Sequence, residues 1–194
     1  MNIIEIQHLK KVYNRKNIFE NLNIEIPNKG IVLLKGDNGK GKSTLLKIIA
    51  KMIKSDFGTI KYNDTQFFHK SGFLLDTPIL LENLNFADNI SLIGNLLKLK
   101  NDDIQNSILK YQEIFDLPTK TLYKDFSLGM KKKAEIARTL INNPHYIFWD
   151  EPFNSLDKMS IDIILNEILD INKLFFITTH ENYLDEKSDK IINM

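Results

Sequence analysis

Apolar residues in this chain fall into two rhythms. Leu22, Ile24 and Ile26 alternate with Asn21, Asn23 and Glu25 ahead of the turn Pro27-Asn28-Lys29-Gly30, the pattern of a strand with one wet face. Ile31-Val32-Leu33-Leu34 then runs without alternation between Lys29-Gly30 and Lys35-Gly36, as a strand covered on both faces does. Phe57–Tyr62 reads as a turn into a short strand, and Gly72-Phe73-Leu74-Leu75 as another buried strand. From about Leu84 to Leu140 the spacing becomes helical. Ile104, Ile108, Tyr111 and Phe115 form one stripe, with Asn101 or Asp102 placed to cap its start. Beyond Pro144 buried strands return as Tyr146-Ile147-Phe148-Trp149 and Leu174-Phe175-Phe176-Ile177, separated by an amphipathic segment carrying Ile161, Ile164, Leu165 and Ile168.

Strands alternating with helices predict an α/β fold built on a mainly parallel sheet, with an antiparallel β edge at the N-terminus. The expected organisation is a single domain over 1–194. Residues 1–76 and 141–194 form its core, and about 77–140 a helical insertion subdomain. No internal repeat and no low-complexity linker interrupts it.

Composition narrows the functions available. With 194 residues, 43% of them hydrophobic and 26% charged, the chain has material for one main core. A formal net charge of +1 gives no basic field, and Lys131-Lys132-Lys133 is too short to supply one, so nucleic acid is not an expected partner. The absence of cysteine excludes disulfides and thiolate chemistry and fits a reducing cytoplasm. Met1-Asn2-Ile3-Ile4-Glu5 does not read as a secretory signal. No apolar run approaches the roughly 18 to 20 residues that span a bilayer. A membrane role is therefore expected to come from another chain.

Three segments carry candidate chemistry. The first is Gly36-Asp37-Asn38-Gly39-Lys40-Gly41-Lys42-Ser43-Thr44, between the strand at Ile31 and the helical run Leu45-Leu46-Lys47-Ile48-Ile49. Its glycines let the backbone turn N–H groups and a helix N-terminus toward phosphate oxygens. Lys42 would then reach the β and γ phosphates and Ser43 would bind Mg²⁺, so the whole run is assigned to a nucleoside triphosphate. The second is Asp150-Glu151-Pro152, two carboxylates at the C-terminal end of an apolar strand, where ligands sit in open α/β sheets. Asp150 is expected to hold the metal and Glu151 to act as general base on the attacking water. The third is His180, after the strand at Leu174, where an imidazole could hydrogen-bond the γ phosphate. His8, His69 and His145 lack such a setting and read as surface or turn residues.

Phe126-Ser127-Leu128-Gly129-Met130-Lys131 completes a series: phosphate loop, helical insertion, signature loop, acidic strand end, histidine. The series resembles the ATP-binding cassette (ABC) ATPases and spans essentially the whole chain. That resemblance implies a RecA-like P-loop NTPase fold and a head-to-tail dimer. Ser127 and Gly129 of one copy would face the γ phosphate held by the other. It further implies a role for Asp157 in communication across the dimer, adenine stacking on Tyr13, and an integral membrane partner that holds the chain at the inner face of the cell membrane. Three positions depart from the pattern: Asp76 stands where the family has a metal-contacting Gln, Leu128 replaces a glycine, and Met130 replaces a glutamine. Asp76 could still bind metal, at an electrostatic cost beside ATP. These departures resemble the subgroup that exports peptide antibiotics or gives immunity to them. The final segment Asp189–Met194 is expected to leave little room for a regulatory domain. Two other readings stay open: a cassette ATPase without a transport role, and a weakly catalytic regulatory partner.

Overall fold

The two rhythms sort into two sheets. The computed structural model describes residues 1–13 and 15–194. Strands β1 (Asn2–Tyr13), β2 (Lys16–Pro27) and β4 (Phe57–Tyr62) form an antiparallel sheet in the order β2-β1-β4. Strands β3 (Gly30–Lys35), β5 (Ser71–Leu74), β6 (Tyr146–Asp150), β7 (Leu174–Thr178) and β8 (Lys190–Asn193) form a second sheet in the order β5-β6-β7-β3-β8. Every pairing in that second sheet is parallel.

Strand position explains burial. The inner strands β6 and β7 are buried at every residue, which is why their sequences are unbroken apolar runs. β5 lies at the sheet edge, so the segment expected to be fully buried keeps Phe73 and Leu75 only half-covered. In β2, Ile24 and Ile26 are buried while Asn21, Asn23 and Glu25 are exposed.

Contacts divide the described residues into two units, a sheet unit of Met1–Asp76, His145–Glu151 and Asp170–Met194, and a helical unit of Thr77–Pro144 and Pro152–Leu169. Pro152–Leu169, placed with the core by sequence, clusters here with the helices. The sheet unit contains both sheets and α1 (Lys42–Ile49), whose Leu45, Leu46, Ile48 and Ile49 enter a core shared with Ile4, Ile26, Val32, Phe148 and Phe176. The helical unit contains α2 (Phe86–Leu96), α3 (Asn101–Phe115), α4 (Leu128–Leu140) and α5 (Lys158–Ile163), the last continuing as a π-helical turn over Ile164–Ile168. The stripe Ile104, Ile108, Tyr111 and Phe115 is the buried face of α3. Its cap differs from expectation. Lys100 occupies the N-cap, and Asn101 and Asp102 lie inside the first turn, where Asp102 and Asp103 favour the positive end of the helix dipole.

Candidate functional site

Parallel register lines up the chemistry of the sheet unit. Leu34 pairs with Thr178, Thr178 with Asp150, and Leu74 with Trp149. The segments leaving β3, β5, β6 and β7 therefore emerge along one sheet edge: the phosphate loop, Asp76, Asp150-Glu151 and His180. This is the carboxyl edge at which open α/β sheets bind ligands.

The loop between β3 and α1 is shaped around Lys42. Its side chain is 6% exposed, and Nζ donates to the carbonyl oxygens of Gly36 at 2.7 Å and Asp37 at 3.4 Å. In a trans peptide the N–H opposes the C=O, so the amides of Asp37 and Asn38 face away from the lysine, outward from the loop. Asp37, Asn38, Gly39 and Lys40 are exposed, and Ser43 and Thr44 are half-buried in the first turn of α1. Gly41, the N-cap of α1, has φ 98°. A Cβ there would press on Ile18 and come within 2.7 Å of Phe19 Cε1. Glycine is thus required both by conformation and by the strand behind it.

The same contact locates Tyr13. It pairs with Lys16 at the end of β1 where the chain passes into β2, two residues before the Ile18 that lies behind Gly41. Its ring is 44% exposed, with Lys11 Nζ 5.1 Å from the ring centroid. An aromatic face is therefore presented beside the loop.

Thr178 organises the acidic pair. Its buried hydroxyl donates to Asp150 Oδ1 at 2.5 Å, and Thr178 Oγ1 accepts from Glu151 N at 3.1 Å. Glu151 N also donates to the Thr178 carbonyl at 3.1 Å. Glu151 sits at φ 46°, a left-handed conformation that turns its side chain off the strand line toward the loop. Its Oε1 lies 3.5 Å from Lys42 Nζ and its Oε2 3.1 Å from His180 Nδ1. His180 Nε2 faces Glu181 Oε1 at 3.3 Å. Lys42, Glu151 and His180, expected from separate motifs, thus form one connected cluster beside Asp150. Asp76 lies two residues beyond the Leu74–Trp149 pair, and its carboxylate is held by Lys47 at 2.7 Å.

The helical unit carries the remaining candidates. Ser127 is the N-cap of α4 and its Oγ accepts from Met130 N at 3.2 Å. A Cβ on Gly129 would lie 2.8 Å from the Ser155 carbonyl oxygen, so the absent side chain lets the segment before α5 close on the start of α4. Asp157 caps α5 through Ser160 N at 2.7 Å; that amide holds its carboxyl below the ordinary range, with Lys133 adding to the effect. Leu128 is 74% exposed. Glu135, buried on α4, accepts from Ile79 N at 2.7 Å, Leu80 N at 2.9 Å and Arg138 Nε at 2.7 Å.

Sequence reasoning missed Thr178, Lys47 and Glu135. A hydroxyl closing an otherwise apolar strand was the available signal for Thr178. Lys47 and Glu135 gave none, since a lysine on a helix and a glutamate on a helix are ordinary. Among the described residues no cluster of three or more His, Cys, Asp or Glu is arranged to hold a metal, and no helix is long and apolar enough to cross a membrane.

The family model described as ABC transporter matches residues 19–154. The lantibiotic transport ATP-binding protein SrtF of Streptococcus pyogenes is 33% identical over 172 residues, covering 87% of this chain and 74% of that protein. The bacitracin transport ATP-binding protein BcrA of Enterococcus faecalis is 28% identical over 84% of this chain, which spans only 54% of its length. Among solved structures, the dimeric bacterial ABC transporter cassette MJ0796 superposes with a TM-score of 0.87 at 22% identity, covering 98% of this chain and 94% of the other.

Proposed function

The chain belongs to the ABC transporter family as an ATP-binding, ATP-hydrolysing subunit, and from that premise we propose that it drives a separate membrane protein in the export of, or immunity to, a peptide antibiotic. The motor half of this reading is carried by the Lys42–Glu151–His180 cluster at the mouth of the phosphate loop. The export half rests on the similarity to SrtF and on the unusual residues Asp76, Leu128 and Met130.

In this mechanism the amides of 37–44 and the N-terminus of α1 cradle the phosphates, and Lys42 exchanges its loop carbonyls for phosphate oxygens. The adenine stacks on Tyr13. Glu151 accepts the proton of the water that attacks the γ-phosphorus as the bond to ADP breaks. His180 fixes the Glu151 carboxylate through Nδ1. Thr178 holds Asp150 and the Glu151 backbone in register for both tasks. The residues fit Mg²⁺: Ser43 and Asp150 offer a hydroxyl and a buried carboxylate, hard oxygens suited to an ion that takes few protein ligands and completes its shell from phosphate and water. Bound there, the ion would neutralise charge on the β and γ oxygens.

Two copies would complete each other's sites, Ser127 and Gly129 of one meeting the nucleotide of the other and Asp157 relaying its state. Closure on ATP and reopening after hydrolysis would then move the membrane subunits, with the differential affinity of the two states as the drive. The test is affinity purification of the tagged chain from detergent-solubilised membranes of its host. A multi-span membrane protein is expected to co-purify, and deleting it should sensitise the host to a peptide antibiotic. Recovery of soluble companions alone would replace the transporter reading with a cassette ATPase that works without a membrane subunit.

A further inference from the structure

Asp76 poses an electrostatic problem that the phosphate site must solve. A carboxylate at the carboxyl edge of β5 lies among the segments that would receive ATP, and its charge opposes that of the phosphates. Lys47 meets it at 2.7 Å. On α1, Lys47 lies four residues after Ser43, so the two side chains share one helix face about 5 to 6 Å apart at Cβ. The Lys47–Asp76 pair therefore stands one helical turn from the hydroxyl assigned to the metal.

The surrounding geometry fixes the lysine more than the aspartate. The Lys47 backbone carbonyl accepts from Met52 N at 2.9 Å and Ile53 N at 3.3 Å, closing the end of α1. Its side chain is 27% exposed against 51% for Asp76. An ion pair this wet contributes little to fold stability. Its effect on a polyanion bound next to it is another matter, because deleting only the lysine takes one positive charge away from the aspartate and the phosphates alike.

We propose that Lys47 is a positioning residue for nucleotide binding: it clamps Asp76 to α1 and cancels its charge, making an acidic residue at position 76 compatible with ATP. The proposal rests on the phosphate-loop reading above. Affinity, by this account, follows the net charge of the pair.

The experiment is a double-mutant cycle on the full chain, reading the dissociation constant of a fluorescent ATP analogue with Mg²⁺ present. Lys47→Met should weaken binding about tenfold, the order expected when one positive charge is lost close to the phosphates. Asp76→Asn alone should tighten binding, and the Lys47→Met, Asp76→Asn double variant should return to within about twofold of the wild type, since the net charge at the pair is again zero. Lys47→Arg should stay within about threefold of the wild type because it keeps the charge. High salt should shrink the Lys47→Met effect, and nucleotide-free melting should barely move. A double variant that binds as weakly as Lys47→Met, or no weakening by Lys47→Met at all, would overturn the proposal. Should Lys47→Met fail to fold, Lys47→Gln serves the same comparison. Failure of the underlying reading looks different, for then Lys42→Ala would bind the analogue as well as the wild type.

Discussion

The sheet unit and the helical unit both set polar groups among apolar ones, but over different spans of chain. In the sheet unit the contacts that matter join residues far apart in sequence: Thr178 with Asp150, Lys42 with Glu151, Lys47 with Asp76. In the helical unit many are one turn long: Ser127 with Met130, Asp157 with Ser160, Arg138 with Glu135. The first unit thus creates its site through strand register. The second presents groups at helix starts and stabilises them locally. Damage should differ accordingly, with chemistry failing in the first and folding of the unit failing in the second.

The largest expected effect tests the catalytic side of that contrast. Glu151→Gln should lower steady-state hydrolysis by about 10² to 10⁴ while ATP still binds, as measured by phosphate release beside nucleotide binding. Retained turnover would remove Glu151 from the general-base role. Next comes Glu135→Ala, which strips a buried partner from Arg138 and from the amides of Ile79 and Leu80. Its expected cost of about 3 to 5 kcal/mol should appear in denaturant unfolding. Thr178→Val bridges the two behaviours. It should cost about 1 to 3 kcal/mol through the unmet demands of Asp150 and slow turnover through misplacement of Glu151.

The smallest effect separates the units by pH. Burial holds Tyr62 and Tyr146 of the sheet unit, and Tyr111 of the helical unit, up to about 12 from 10.0. A folded-state value above the unfolded one means the folded chain keeps its proton longer. This contribution is therefore complete below pH 10 and is lost as pH rises through about 12. Tyr111→Phe should blunt alkaline unfolding of the helical unit, followed by circular dichroism, and leave that of the sheet unit unchanged.

Legibility in the sequence follows the same division. The phosphate loop, the apolar strands at Ile31, Tyr146 and Leu174, and the α3 stripe were readable because each is a local pattern of residue types. β1 was less so. Its pairing shifts register between Ile6 and Leu9, around His8 at φ 52°, and that bulge breaks the two-residue period. β8 is a four-residue edge strand, too short to show a period. The partners of Asp76 and Asp150 were illegible for a different reason: strand order and register decide which distant side chain arrives, and no local pattern encodes either. The acidic residue at position 76 looked costly in sequence because Lys47 was invisible as its neighbour.

The backbone of Glu151 carries one more consequence. A side chain with a Cβ pays roughly 1 kcal/mol to adopt a left-handed conformation like its φ of 46°, and glycine does not. The backbone conformation and the chemistry therefore favour opposite residues at this one position. Glu151→Gly and Glu151→Gln both lose the carboxylate beside Lys42, but only the glycine releases the backbone, so of two variants inert as hydrolases the glycine one should melt higher.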